Sequence, residues 1–278
     1  MFNDGRAHPI PELQRIQSMT FDITAYQRMS EKLEIDDIDF DSFRERPLNA
    51  EALRCLRYMH DVESHTVCYL RDVLVTRAHR DPEVTSFLTL WNYEEFWHGE
   101  AIAKVLEAHE EQAGTTRIAA LRQRLPKRQA WKPLTFQLAS AITPHLTAVH
   151  MTWGAVNEWT TQAAYARLAK LADHPTLTQL LRRIMKQEGR HIDFYATQAK
   201  SRLTESRAAQ RVTRWALDHF WEPVGTGVVE DQCTHGFKGV STQRRRVGSP
   251  RPLGRGAGVR GTGNAPLAPL ICGASDIS

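Results

Sequence analysis

The sequence predicts an all-α protein, built on four long helices with one long connection between the second and the third. Two observations carry this prediction. From residue 11 to residue 222, apolar residues recur every three or four positions, which is the period of a helix with one buried face. The same stretch has few alternating β-branched runs and no hairpin signals, so strands are not expected.

The period predicts six helices, with the second to the fifth being the long ones, at about 11–33, 49–79, 82–110, 145–172, 175–203 and 205–221. Asp81 and Pro82 are a typical N-cap and first helical residue, and Pro144 and Pro175 mark two further starts. About 35 residues separate the second and third long helices, whereas the other links are short. Short links favour antiparallel neighbours, and the long link permits a crossover. This is the outline of a ferritin-like four-helix bundle with flanking helices.

The chain divides into a helical domain, 1–229, and a tail rich in Gly, Arg and Pro, 230–278. Residues 225–278 hold 11 of the 16 glycines and 7 Lys and Arg against 3 Asp and Glu, so the net charge of +4 arises there. Such a segment cannot bury enough apolar surface to offset its ordering entropy, and we predict disorder. Phe237 is its single aromatic residue, so a nucleic-acid partner is not expected.

Signals for export or membrane insertion are not apparent. The first residues lack a basic segment followed by an apolar one, and no apolar run approaches the roughly 18 residues of a membrane span. The four cysteines form no Cys-x-x-Cys pair and are interpreted as free thiols. These features predict a cytoplasmic protein without a membrane span.

Each long helix carries one glutamate near the middle of its apolar stripe, and two of the four have a histidine three residues later on the same face. These six residues are Glu63, Glu95, His98, Glu158, Glu188 and His191. An unpaired buried carboxylate costs several kcal/mol, so the four need compensation. Two divalent cations would balance four carboxylates, with the imidazoles completing the ligand set, as in di-iron carboxylate proteins. The alternative is that these are core residues with hydrogen-bond partners, or pairs that face solvent. Zinc is less expected as the metal, because it suits so oxygen-rich a set poorly.

Four segments carry a family resemblance. "WNYEEFWHG" and "EGRH" followed by Tyr195 resemble the metal-binding motifs of soluble acyl-acyl carrier protein desaturases, a family within the ferritin-like di-iron carboxylate superfamily. "VESHTVCYL" is similar to the first ligand segment, and "NEWTT" places Thr161 three residues after Glu158. The resemblance covers roughly residues 40–205. Trp97 departs from it, because the family usually has an arginine before the first ligand histidine.

The resemblance implies an O2-dependent oxidoreductase that introduces a cis double bond into a carrier-bound fatty acyl chain. It implies two iron ions per chain held by the six residues above, an acyl carrier protein, a ferredoxin-type electron donor and a homodimer. Thr161 would relay a proton; a helical threonine that bonds back to a backbone carbonyl is the alternative. Another di-iron oxygenase, such as an N-oxygenase or hydroxylase, and a truncated desaturase-like paralogue without activity also fit the sequence, and a ferroxidase is a further alternative.

Overall fold

The computed structural model of the chain describes residues 20–125, 127–222 and 224–225. Every regular element in these ranges is a helix, which confirms the predicted all-α class. None of the helices described is long and apolar enough to cross a membrane. The predicted disorder of 230–278 concerns residues outside the described ranges.

The α-helices are numbered here in chain order: α1 Ile23–Met29, α2 Ser42–Glu45, α3 Ala50–Glu63, α4 Thr66–Leu74, α5 Pro82–Ala108, α6 Gly114–Arg124, α7 Lys132–Ile142, α8 Leu146–Ala172, α9 Pro175–Glu205 and α10 Arg207–Phe220. Short 3-10 helices cover Arg77–Arg80 and Lys127–Trp131. The link between α5 and α8, predicted only as a long connection, therefore contains helices of its own.

Two of the long helices, α5 and α3, begin at an aspartate and an asparagine that act as side-chain caps. A carboxylate oxygen of Asp81 accepts the backbone N–H groups of Glu83 and Val84 at 3.1 and 3.3 Å, as predicted for the start of α5. The side chain of Asn49 accepts the N–H of Ala52 at 2.8 Å at the start of α3. Each cap satisfies backbone donors that have no partner within the helix.

The predicted helix at 49–79 is wrong as a single element, because it breaks at Ser64 and His65. The break lies against Gly99 of α5, where a Cβ atom would come within 2.8 Å of Ser64 Oγ. Thr66 Oγ1 donates to the carbonyl of Glu63 at 2.7 Å, which satisfies an acceptor at the break. Glu63 is therefore the last residue of α3 and faces inward from the end of a helix.

The predicted N-terminal helix at 11–33 also ends early, while its residues 11–19 lie outside the described ranges. α1 ends at Met29, and the chain to α2 is not helical. Leu33, Ile35 and Ile38 in this connection are buried all the same. The spacing of apolar residues alone could not distinguish a helix from a non-helical segment that packs on the core.

Four helices form the centre of the molecule. α3 packs on α5 and α8 packs on α9, while contacts between α5 and α9 and between α3 and α8 close the ring. The ring encloses one apolar cluster around Leu56, Ile102 and Tyr165 and a second around Phe87, Trp91 and Tyr195. On α5, α8 and α9 the predicted metal ligands fall between the residues of the two clusters, so apolar packing lies on both sides of them.

Candidate metal centre

The structure brings all six sequence-predicted ligands to one place in the ring of helices. Glu63 comes from α3, Glu95 and His98 from α5, Glu158 from α8, and Glu188 and His191 from α9. All six are buried, with Glu158 the most exposed at 7%. The helical spacing puts each Glu-x-x-His pair on one inward face, as the sequence predicts.

The six residues form two overlapping groups whose ligand atoms lie within 4.8 Å of one another. Glu63 and His98 belong only to the first group, and Glu158 and His191 belong only to the second. Glu95 and Glu188 belong to both. Each group could hold one cation, and the two carboxylates of Glu95 and Glu188 are common to both groups.

His98 is oriented by an amide from the opposite helix. Its Nε2 atom lies 2.8 Å from Oε1 of Gln187, and Nε2 of the same amide donates to the carbonyl of Glu31 at 3.2 Å. Since Oε1 is thereby identified as the acceptor, His98 Nε2 carries a proton. His98 Nδ1 faces the cluster, 3.4 Å from Glu188 Oε1.

His191 is oriented by a carboxylate instead. Its Nε2 atom donates to Glu94 Oε2 across 2.7 Å, and Glu94 also accepts from Tyr26 and Arg190, each at 2.8 Å. Burial opposes ionisation of Glu94, but the partners outweigh it and lower its pKa to about 2. His191 Nδ1 lies 3.0 Å from both Glu188 and Glu95, so it too faces the cluster.

The cluster has four carboxyl groups and only two imidazoles to compensate their charge. Burial, followed by repulsion from neighbouring carboxylates, raises the pKa of Glu95 and Glu158 well above the ordinary value. Burial acts on Glu188 in the same direction, but hydrogen bonds with His191 and His98 prevail and lower its pKa. The pKa of His191 is in turn raised, against burial, by its acidic surroundings. Without metal ions, protons must therefore supply the positive charge.

Two neutral donors hold the outer carboxylates. Trp91 Nε1 donates to Glu158 Oε1 at 3.0 Å, and the hydroxyl of Tyr165 donates to Glu63. Each contact joins two helices. The Trp91 contact joins α5 to α8, and the Tyr165 contact joins α8 to α3. These donors fix the carboxylates that belong to one group only, while the shared carboxylates keep free oxygens.

Three buried ligand atoms lack an aligned hydrogen bond, and they are Glu95 Oε1, His98 Nδ1 and Glu188 Oε1. The nearby imidazole contacts at 3.0 and 3.4 Å do not have the required direction. Buried polar atoms without partners are costly, and all three belong to residues of the first ligand group. A set of four carboxylates and two imidazoles with such atoms fits a pair of iron or manganese ions.

Two further residues of the motifs lie differently from the ligands. Thr161 is half-buried on α8, about one turn after Glu158. Trp97 packs on the first apolar cluster, and Lys32 Nζ lies 4.7 Å from the centroid of its ring. The guanidinium near the cluster comes from Arg190, which pairs with Glu94.

The sequence analysis assigned no role to Gln187, Glu94, Tyr26 or Tyr165. A usable signal existed for two of them: Glu94 and Gln187 are the residues directly before Glu95 and Glu188. Each contacts the histidine of the other motif, so the two motifs orient each other's imidazole. Tyr26 is far away in sequence, and no local pattern indicates its contact.

Comparison of the chain with protein-family models, with curated proteins and with solved structures gave no match.

Proposed function

We propose that the protein is a ferritin-like di-iron carboxylate oxidoreductase. The observation that carries this proposal is the pair of overlapping ligand groups that share Glu95 and Glu188. Glu63 and His98 would complete one iron site, and Glu158 and His191 the other. Four carboxylates would balance the charge of two Fe(II) ions, and carboxylates suit a metal pair that changes its charge, since their way of binding can change with it.

Within this class, the reaction we propose is O2-dependent desaturation of a fatty acyl chain bound to an acyl carrier protein. The support is the resemblance of "WNYEEFWHG" and "EGRH" to the motifs of soluble acyl-acyl carrier protein desaturases. Two bound irons supply the redox chemistry with O2 that no side chain can perform. A ferredoxin-type protein would supply electrons, and a homodimer is the assembly that the resemblance implies.

We assign the following roles to the chain's own residues. The two apolar clusters on either side of the site exclude water from an oxidising centre. Tyr165 and Trp91 hold Glu63 and Glu158 in place through their hydrogen bonds. Thr161 Oγ1, about one turn after Glu158 on α8, would pass a proton to the reacting centre, as the resemblance implies. A Thr161→Val variant should then turn over more slowly while its iron content stays at the wild-type value.

The metal proposal is tested by anaerobic titration with Fe(II). We expect two ions per chain for the wild type and loss of tight binding for Glu95→Ala. Glu107→Ala, which removes an exposed glutamate from the same helix, is the matched control and should still bind two. Failure of the wild type to bind Fe(II), or binding that Glu95→Ala leaves unchanged, would contradict the proposal.

The reaction is tested separately, with the iron-loaded protein, an acyl carrier protein substrate, reduced ferredoxin and O2. A desaturase gives a product two mass units lighter and without added oxygen. An acyl product that gains oxygen would identify a hydroxylase, whereas an N-oxygenase would oxidise an amine substrate in place of the acyl chain. A protein that holds two irons but gives no product would be the inactive paralogue.

A further inference from the structure

An exposed apolar stripe runs along α7, in the crossover between α5 and α8. Its four residues are 54–77% exposed and are Trp131, Leu134, Leu138 and Ile142. Leu134, Leu138 and Ile142 lie on one face of the helix, and Trp131, its N-cap residue, continues the spacing of three or four residues. Isolated exposed apolar residues are ordinary, but a continuous stripe of three on one helix, extended by its N-cap residue, marks a contact surface.

The opposite side of α7 packs against other parts of the protein, so the stripe faces outward. Ser140 Oγ accepts the backbone N–H of Arg77 at 2.9 Å. The Phe136 ring lies 5.1 Å from the ring of His150. α7 therefore has a packed face and an apolar exposed face, instead of the polar exposed face that a helix on a globular surface usually has.

The chain segment that carries the stripe has charged residues of one sign only. Residues 112–145 contain six Lys and Arg and no Asp or Glu, whereas residues 1–224 as a whole contain 29 of each class. Among the basic side chains, Arg122, Lys127 and Lys132 are exposed. Trp131 stands where the basic segment meets the apolar stripe. Basic residues, a tryptophan at the boundary and an apolar face together are typical of helices that lie in a membrane interface.

We propose that α7 docks this face on an anionic lipid bilayer, lying parallel to the membrane surface. Phosphate headgroups complement the basic residues, and the acyl region next to them takes up the stripe. A second copy of the chain offers the same positive charge at its own α7 and would repel it. An acidic protein would also complement the charge. A bilayer, however, presents an anionic layer of headgroups directly beside an apolar layer, and this matches a basic residue, Lys132, beside an apolar stripe.

Vesicle co-sedimentation of the full chain tests the proposal, with phosphatidylcholine vesicles and with vesicles that also contain phosphatidylglycerol. We expect binding only to the anionic vesicles, weakening as salt increases. Lys132→Glu combined with Leu134→Ser should lower vesicle affinity about tenfold or more. The matched control is Lys170→Glu with Leu171→Ser, an exposed pair on α8, which should bind as the wild type does. Both variants keep the basic tail, so binding that depends on the tail alone would leave the two equal.

Bromine-labelled lipids give an independent readout that does not depend on the folding of the charge variant. Quenching by these lipids should be largely lost in Trp131→Phe and kept in Trp215→Phe, which removes an exposed tryptophan of α10. Equal affinity of the two double variants, absence of vesicle binding, or equal binding to neutral vesicles would overturn the proposal. A dimer that dissociates on the Leu134 substitution, or binding to an acidic protein in place of vesicles, would assign the surface to another partner and equally overturn it.

Discussion

The Nε2 atom of His191 lies 2.7 Å from a carboxylate oxygen of Glu94, on the helix opposite. The corresponding atom of His98 lies 2.8 Å from the amide oxygen of Gln187. One imidazole is thus oriented by a charged acceptor and the other by a neutral one. Because a carboxylate partner raises the basicity of a ligating histidine, the two proposed metal sites should differ in affinity.

Glu94→Gln tests this difference. The variant keeps the size of the side chain but removes the charge that His191 and Arg190 contact. We expect metal affinity at the His191 site to fall about 10- to 100-fold, with smaller change at the His98 site. Metal titration measures the two steps, and Glu107→Gln on the exposed face of α5 serves as control. Equal loss at both sites would show that Glu94 does not act through His191.

The shared and unshared carboxylates should behave differently when removed. Glu63 belongs to one ligand group, so Glu63→Ala should leave one tightly bound metal ion per chain. Glu188 belongs to both groups, so Glu188→Ala should remove both ions. Metal content after gel filtration distinguishes these outcomes. Loss of a single ion in Glu188→Ala would contradict the assignment of this residue to both sites.

Two glycines of the bundle give opposite expectations for stability. A Cβ at Gly154 would lie 2.4 Å from the ring of Tyr195, which is fully buried, whereas a Cβ at Gly189 meets nothing closer than 3.9 Å. Gly154→Ala should lower the free energy of unfolding by about 1–3 kcal/mol through overpacking. Gly189→Ala should raise it by up to about 1 kcal/mol, since alanine favours the helix interior. Denaturant unfolding of both variants checks the signs, and a stabilising Gly154→Ala would refute the close packing.

The long helices and the positions of the six clustered residues could be predicted from the sequence, because both depend on the local period of apolar residues. A glutamate in the middle of an apolar stripe must face the core if the helix forms, whatever its neighbours are. The break after Glu63 depends on the close approach of Gly99 from another helix. The contact between Tyr26 and Glu94 depends on how a distant segment packs. Information of this kind lies in tertiary packing and has no local pattern.

His150 should make the stability of the protein depend on pH. It is 2% exposed, between Phe136 and Tyr69, and burial lowers its pKa to about 4. In the unfolded chain this imidazole is protonated near pH 6.5, whereas in the folded protein it stays neutral down to about pH 4. The contribution of this residue is therefore complete above pH 6.5 and is lost as the pH falls through that window. The loss approaches about 3 kcal/mol at its lower end.

A neutral replacement isolates this contribution. His150→Gln removes the titrating group, so its free energy of unfolding should fall less than that of the wild type between pH 7 and pH 5. Urea unfolding at both pH values measures the difference. Metal-free protein is used so that protons do not compete with metal ions at the metal centre. His219→Gln, at an exposed position on α10, should keep the wild-type dependence. If His150→Gln keeps it as well, the buried imidazole takes up a proton in the folded protein, and its pKa is not lowered as its burial requires.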